Sequence, residues 1–162
     1  MQDKKIKLSK AESKTDIESA STLFLEYAKS LNFDLCFQGF NEELQNLPGD
    51  YSSPGGEILL AFYDEKLAGC VALRNFNEGI SEMKRMYVRP EFRGKKIARL
   101  LAEKIIDDAK KMNYAKMRLD TIGTMKEAIA LYVDLGFREI KSYRFNPLSN
   151  VLYMELNLLS EK

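Results

Sequence analysis

Arg93, Lys95, Lys96 and Arg99 crowd around Gly94, directly before a run of residues with helical spacing. A helix N-terminus already carries partial positive charge and unpaired N–H donors, so acids are favoured there and cations are out of place. The arrangement makes sense if a polyanion sits on it, because a glycine approach, free N–H groups and added cations make a phosphate site. A solvated basic turn is the ordinary alternative. The Walker spacing and the GxGxxG dinucleotide spacing are both absent, so neither kind of nucleotide loop explains the cluster. No histidine exists in the chain, which excludes a Ser-His-Asp or Cys-His centre.

The elements that must position this turn follow from periodicity. Met83 to Val88 is predicted as a strand, ended by Pro90, which has no N–H for a ladder. Gly94 opens a long helix whose Ile97, Leu100, Leu101, Ile105, Ala109 and Met112 form one apolar face. Before it, Lys5 to Leu8 is a short strand, and Ser13 or Thr15 caps a helix carrying Ile17, Ala20, Leu23, Phe24, Tyr27 and Leu31. Asn41 is expected to cap a short helix through Leu47. Ile58 to Tyr63 and Leu67 to Leu73 form a hairpin turning at Asp64-Glu65-Lys66. After the long helix come a strand from Lys116 to Thr121, a helix introduced by Gly123 and Thr124 and closed by Gly136, and final strands at Phe137 to Tyr143 and Val151 to Leu158. The order is strand, two helices, three strands, helix, strand, helix, two strands. This predicts an α/β protein: a mixed sheet of about seven strands flanked by four helices, with the Met83 and Lys116 strands parallel through a right-handed crossover.

The turn, in the setting MYVRPEFRG and continuing Arg93-Gly94-Lys95-Lys96-Ile97-Ala98, resembles the acetyl-CoA-binding motif of the GNAT acyltransferase family, Arg/Gln-x-x-Gly-x-Gly/Ala. Lys96 stands where that family usually has glycine. Lysine takes right-handed helical angles without strain, and binding is expected to be retained. Ala128 to Phe137, AIALYVDLGF, is similar to the family's A-x-x-LYxxxGF segment. The resemblance runs from Lys5 to Leu158 and implies one GNAT domain over residues 1–162.

It also implies transfer of an acetyl group from acetyl-CoA to a primary amine. The cofactor-binding residues it implies are Arg93, Gly94, Lys95, Lys96, Ile97, Ala98 and Arg99 around the pyrophosphate, with Met86, Tyr87 and Val88 along the pantetheine arm. A backbone N–H near Tyr87 or Val88 would polarise the thioester carbonyl. Met125 stands where the family often has asparagine, so that contact is expected to move to Thr121 or Thr124. Glu82 resembles the family's general base, acting directly or through water on an amine whose pKa is near ~10. Its ordinary alternative is a solvent-facing strand-end carboxylate paired with Lys84 or Arg85. Tyr132 is the general acid for the departing thiolate, the alternative being a core tyrosine. Phe33, Asp34, Phe37, Arg85, Tyr143 and Asn146 are expected to wall the acceptor pocket.

A net charge of +1 provides no global field for nucleic acid or membrane. Cys36 and Cys70 show no CxxC spacing, so neither a disulfide framework nor a zinc site is suggested, and no metal is expected. The cysteines are expected to be small buried groups, Asp120 structural, and the setting cytoplasmic. No apolar run is long enough to span a bilayer and no signal-type segment follows Met1. The expected partner is a small-molecule amine, with a homodimer possible. Two other readings are a non-catalytic acyl-CoA-binding sensor and an RNA-binding module using Lys84, Arg85, Arg89 and the basic turn.

Overall fold

The structure is a computed structural model describing residues 5–31, 39–144 and 150–159. Its strands are β1 (Ile6–Lys10), β2 (Glu57–Tyr63), β3 (Lys66–Asn77), β4 (Ile80–Val88), β5 (Lys116–Ile122), β6 (Arg138–Ile140) and β7 (Val151–Asn157). Its helices are α1 (Lys14–Ser30), α2 (Phe40–Gln45), α3 (Ile97–Lys111) and α4 (Lys126–Asp134). The strands form one seven-stranded sheet in the order β1-β2-β3-β4-β5-β7-β6. Among the described residues only β4 and β5 pair in parallel, and α3 connects them.

Alternation along the strands sorts side chains onto two faces. Leu59, Val71, Leu73, Met83, Met117 and Leu119 pack on one face against Ile97, Leu101, Ile105 and Ala109 of α3. Ile58, Leu60, Cys70, Ala72 and Tyr87 pack on the other, against Ala20, Leu23 and Phe24 of α1 and Phe40 of α2. Each fully buried leucine or isoleucine contributes roughly 1.5–3 kcal/mol, so α3 is held by packing, and its position fixes where its N-terminus points.

The local signals explain most boundaries. Ser13, not Thr15, is the N-cap of α1: its hydroxyl accepts from the Asp16 N–H, and the Asp16 carboxylate accepts from the Ser13 N–H. The β2–β3 hairpin turns on Asp64 and Glu65, both at positive φ (53° and 71°), as a two-residue turn between right-twisted strands requires. Gly136 closes α4 with φ 107°.

β3 runs on to Asn77 and β4 starts at Ile80, both longer than expected, and four further differences bear on the site. The second helix starts at Phe40 behind Gly39 (φ 70°), so Asn41 lies inside it rather than capping it. The long helix begins at Ile97, because Gly94 (φ 83°) and Lys96 (φ 67°) are both left-handed and keep the turn out of the helix. Lys96 is therefore not in right-handed angles. Residues 123–125 form a turn, and α4 starts at Lys126. The strand expected from Phe137 to Tyr143 pairs only over Arg138–Ile140, while Phe137 is buried in the core.

Candidate active site

Parallel pairing between β4 and β5 covers Ile80↔Lys116, Ser81↔Met117 and Glu82↔Arg118, and stops there. Beyond Glu82 the strands separate. On its other side β4 pairs Cys70↔Tyr87 and Ala72↔Lys84, so three steps on β4 match two on β3. The extra residue is a bulge at Arg85, whose φ of 61° is unusual for a non-glycine residue. Beyond the bulge, Met86, Tyr87 and Val88 line a cleft of about 520 Å³ opening toward the N-termini of α3 and α4.

Arg93, Gly94, Lys96, Ile97 and Ala98 line the same cleft, and so does Tyr132. The turn thus meets the strand edge and the tyrosine in one cleft. The α3 N-terminus has no side-chain cap and no acid in its first turn, in contrast to α1. Its first N–H donors need acceptors from elsewhere. Arg93, Lys96 and Lys126 outnumber Glu127 among the charged residues around the opening. Arg93 Nε donates to the Val88 carbonyl at 2.8 Å, which ties the turn to the strand end. This donor set and this charge suit a diphosphate, and the strand edge suits an amide-bearing arm.

Three implied cofactor residues lie outside the cleft lining. Lys95 extends over the Tyr63 ring, 4.9 Å from its centroid. Arg99 pairs with Asp134 at 2.5 Å and with Glu103. Thr121 Oγ1 lies 3.9 Å from the Met125 sulfur, while Thr124 and Met125 themselves reach the cleft.

Tyr132 is 5% exposed and packs edge-on against Phe137, with centroids 5.7 Å apart. Burial raises its phenol pKa above the ordinary value, so it keeps its proton throughout the working pH range. Sequence spacing alone left it between core residue and acid; the structure shows a buried ring at the wall of the cleft.

Glu82 is fully buried, not a solvent-facing strand end. Arg74 Nε reaches its Oε1 at 2.9 Å, and Arg74 Nη2 lies 2.8 Å from the same oxygen. The Tyr143 hydroxyl donates to Oε2 at 2.9 Å, and Arg144 Nη2 also contacts Oε2. Burial alone would raise the carboxyl's pKa, but Lys84, Arg144 and Arg74 together outweigh it and hold the group below the usual carboxylate range. Glu82 is therefore ionised at neutral pH.

A second cleft of about 480 Å³ lies beneath α2, lined by Glu42, Glu43, Asp50, Tyr51, Arg74, Lys84 and Arg144 among others. Arg85 is not in its lining; it is 4% exposed and forks onto Glu43 at 2.8 and 2.9 Å. Tyr143 stands behind Arg144, stacked edge-on between Phe76 and Tyr153 with Arg118 and Arg144 over its ring. Phe33, Asp34, Phe37, Asn146 and Cys36 lie outside the described residues. Cys70 is buried, its thiol 3.3 Å from the Arg85 carbonyl. Sequence reasoning missed Arg74, Glu43 and Arg144 here. Only Arg74 carried a signal: it stands opposite Glu82 across the hairpin.

The cations proposed for an RNA surface do not form one stripe. Arg85 is buried on Glu43, Arg89 forks onto Glu26, Arg99 pairs with Asp134, and Lys84 faces the second cleft.

Residues 22–137 match the acetyltransferase (GNAT) family. The chain belongs to the GNAT family. It is 39% identical over 160 residues to an uncharacterized N-acetyltransferase of Schizosaccharomyces pombe, covering 98% of both chains. It is 31% identical over 130 residues to the N-acetylaspartate synthetase of Mus musculus, covering 78% of this chain and 44% of that one. Among solved structures, a GNAT acetyltransferase of Staphylococcus aureus superposes with a TM-score of 0.79 at 26% identity, over 95% of this chain and 99% of that one. PaiA N-acetyltransferase from Thermoplasma acidophilum, solved with coenzyme A, shares the fold: TM-score 0.71, 19% identity, 94% and 98% covered. The GNAT chain described here is an N-acetyltransferase. No helix among its described residues is long and apolar enough to cross a membrane, and they contain no cluster of three or more potential metal ligands.

Proposed function

We propose that the protein transfers an acetyl group from acetyl-CoA directly to the primary amine of a small molecule, both being bound at once. The observation that carries this reading is the uncapped, acid-free N-terminus of α3 opening beside the unpaired edge of β4. The mouse relative's name, N-acetylaspartate synthetase, is that of an enzyme making an acetylated amino acid, which supports a small acceptor.

In this reading the pyrophosphate is held by the first N–H groups of α3 together with Arg93 and Lys96, and the pantetheine amides pair with the backbone of Met86 and Val88. An N–H at Tyr87 or Val88 stabilises the charge that develops on the thioester oxygen. The amine nitrogen attacks the carbonyl carbon, a C–N bond forms and the C–S bond breaks. The proton lost by the amine passes toward Glu82, through water or the Tyr143 hydroxyl, since both carboxylate oxygens already have partners. The proton of Tyr132 goes to the leaving thiolate. Burial holds the phenol above its ordinary value of ~10, so against a thiol near ~8.5 the tyrosine acts first as a hydrogen-bond donor to the developing thiolate, and its proton follows as the C–S bond breaks.

Calorimetry with coenzyme A, and release of free thiol from acetyl-CoA across a panel of amines, test the proposal. Heat of binding and amine-dependent thiol release are expected. Absence of both, with folded protein, would refute it.

A further inference from the structure

We propose that Tyr27 closes the thioester end of the cofactor cleft and limits the acyl group the enzyme accepts to acetyl, shutting out longer chains. This rests on the acetyl-transfer reading above and specifies the donor substrate for it.

The direction of the cleft is set by its two ends. Arg93 ties the basic turn to the Val88 carbonyl, so the turn lies at the Val88 end of β4. Met86 stands two residues back, roughly 7 Å at about 3.4 Å per residue, and the Arg85 bulge follows it. A cofactor with its diphosphate on the turn therefore carries its thioester back along β4 toward the bulge.

Tyr27 stands across that path. It lines the same cleft from α1, with Ser30 one turn on, while Leu131 and Tyr132 line it from α4. Its ring packs edge-on against Tyr87, with centroids 6.2 Å apart. Burial raises its phenol pKa, against the pull of Arg85 and reinforced by Asp120, so the hydroxyl end of the ring lies near both the bulge and β5. Tyr132 is raised by its own burial and then by Tyr27, which makes the two tyrosines near neighbours in the cleft wall.

This part of the wall is held in place. Glu26, adjacent to Tyr27, is gripped at both carboxylate oxygens by Arg89, at 2.8 and 3.0 Å. Arg89 also donates to the Leu67 carbonyl at 3.1 Å. Leu23 and Phe24, one turn earlier, are fully buried. Swinging α1 aside would break the fork and that packing together. In this arrangement an acetyl methyl stops short of the Tyr27 ring, whereas added methylenes run into it.

Calorimetric dissociation constants for coenzyme A, acetyl-CoA, butyryl-CoA and hexanoyl-CoA test the inference without needing the acceptor. The parent is expected to bind butyryl-CoA at least ~10-fold more weakly than acetyl-CoA, the worth of a misfitting methylene in an apolar pocket, and hexanoyl-CoA more weakly still. Tyr27→Ala is expected to bring butyryl-CoA within about threefold of acetyl-CoA while coenzyme A itself binds as in the parent, which also shows that the variant is folded. Tyr27→Leu is expected to fall between the two and serves if the smaller residue unfolds α1. Tyr27→Phe, which keeps the ring and loses only the hydroxyl, is expected to discriminate like the parent. A parent that binds butyryl-CoA as tightly as acetyl-CoA overturns the inference and leaves acetyl transfer intact. So does a folded Tyr27→Ala or Tyr27→Leu that keeps the parent's ranking, or a Tyr27→Phe that loses it. No binding of coenzyme A or acetyl-CoA overturns both readings.

Discussion

Two side chains at the cofactor cleft carry opposite kinds of constraint. Tyr132 is an almost buried ring on the wall of the cleft and keeps its proton, so in the proposed reaction it would serve as a loaded acid rather than a base. Tyr132→Phe removes that proton and little volume. The expected result is a fall in kcat of about 100-fold or more, with KM for acetyl-CoA within about twofold, measured by thiol release. Equal kcat in the variant would assign the tyrosine to the core alone. Lys96 instead accepts a left-handed backbone, φ 67°, where a β-carbon costs roughly 1–2 kcal/mol. Lys96→Gly relieves that strain and deletes a cation from the opening. Its melting temperature is expected not to fall while the dissociation constant for coenzyme A rises severalfold by calorimetry. Tighter binding would show that the ammonium obstructs the phosphate rather than holding it.

At the scale of elements, α3 does two jobs from opposite ends of its length. Its N-terminus opens on the cofactor cleft, and its last turns carry Asp108 against Glu57 of β2. Glu57 Oε1, Oε2 and Asp108 Oδ2 are buried without a hydrogen-bond partner, and Lys10 reaches only to 3.6 Å from Glu57. One proton shared by the two carboxyls would supply the missing donor. Burial, reinforced by Asp108, accordingly raises Glu57 to about 8, while Asp108, bonded to Glu57 and Lys104, is held low despite its own burial. Because the folded pKa of Glu57 exceeds its unfolded value near ~4.3, its stabilising effect is complete below that value and is lost as pH rises through about 8. Glu57→Gln, which keeps a donor without the charge, is expected to flatten this part of the profile. Chemical denaturation should show parent and variant similar near pH 5 and the variant more stable near pH 9. A parent whose stability rose from pH 5 to 9 relative to the variant would contradict the shared proton.

Across the whole molecule, β4 lies between two clefts, one opening toward α3 and α4 and the other beneath α2. Binding that fills the first cleft closes a gap in the sheet and should stabilise the fold by mass action. At a coenzyme A concentration of about 100 times its dissociation constant the expected gain is ~2.7 kcal/mol, or a rise in melting temperature of roughly 5–10 °C for a chain of this size. Differential scanning calorimetry would read it directly. No rise at saturating ligand would mean that the α3 terminus and the β4 edge do not act together.

The periodicity of α3, the Gly136 stop, the hairpin at Asp64 and the basic turn were all legible along the chain, because each depends on residues within a turn or two of one another. The pairing of Arg93 with the strand end was similarly local, five residues from Val88. What the chain could not disclose was the burial of Glu82, flanked by Arg74 from the neighbouring strand and by Tyr143 and Arg144 some sixty positions away. Nor could it disclose that Lys84 would line the second cleft while Arg85, one residue on, would turn onto Glu43. Those outcomes depend on strand register and on one bulge, and a shift of a single residue would send each side chain to the opposite face. Local spacing therefore determined the elements and the basic turn, whereas the charge state of Glu82 was decided only when distant segments closed around it and removed the water that would otherwise have screened it.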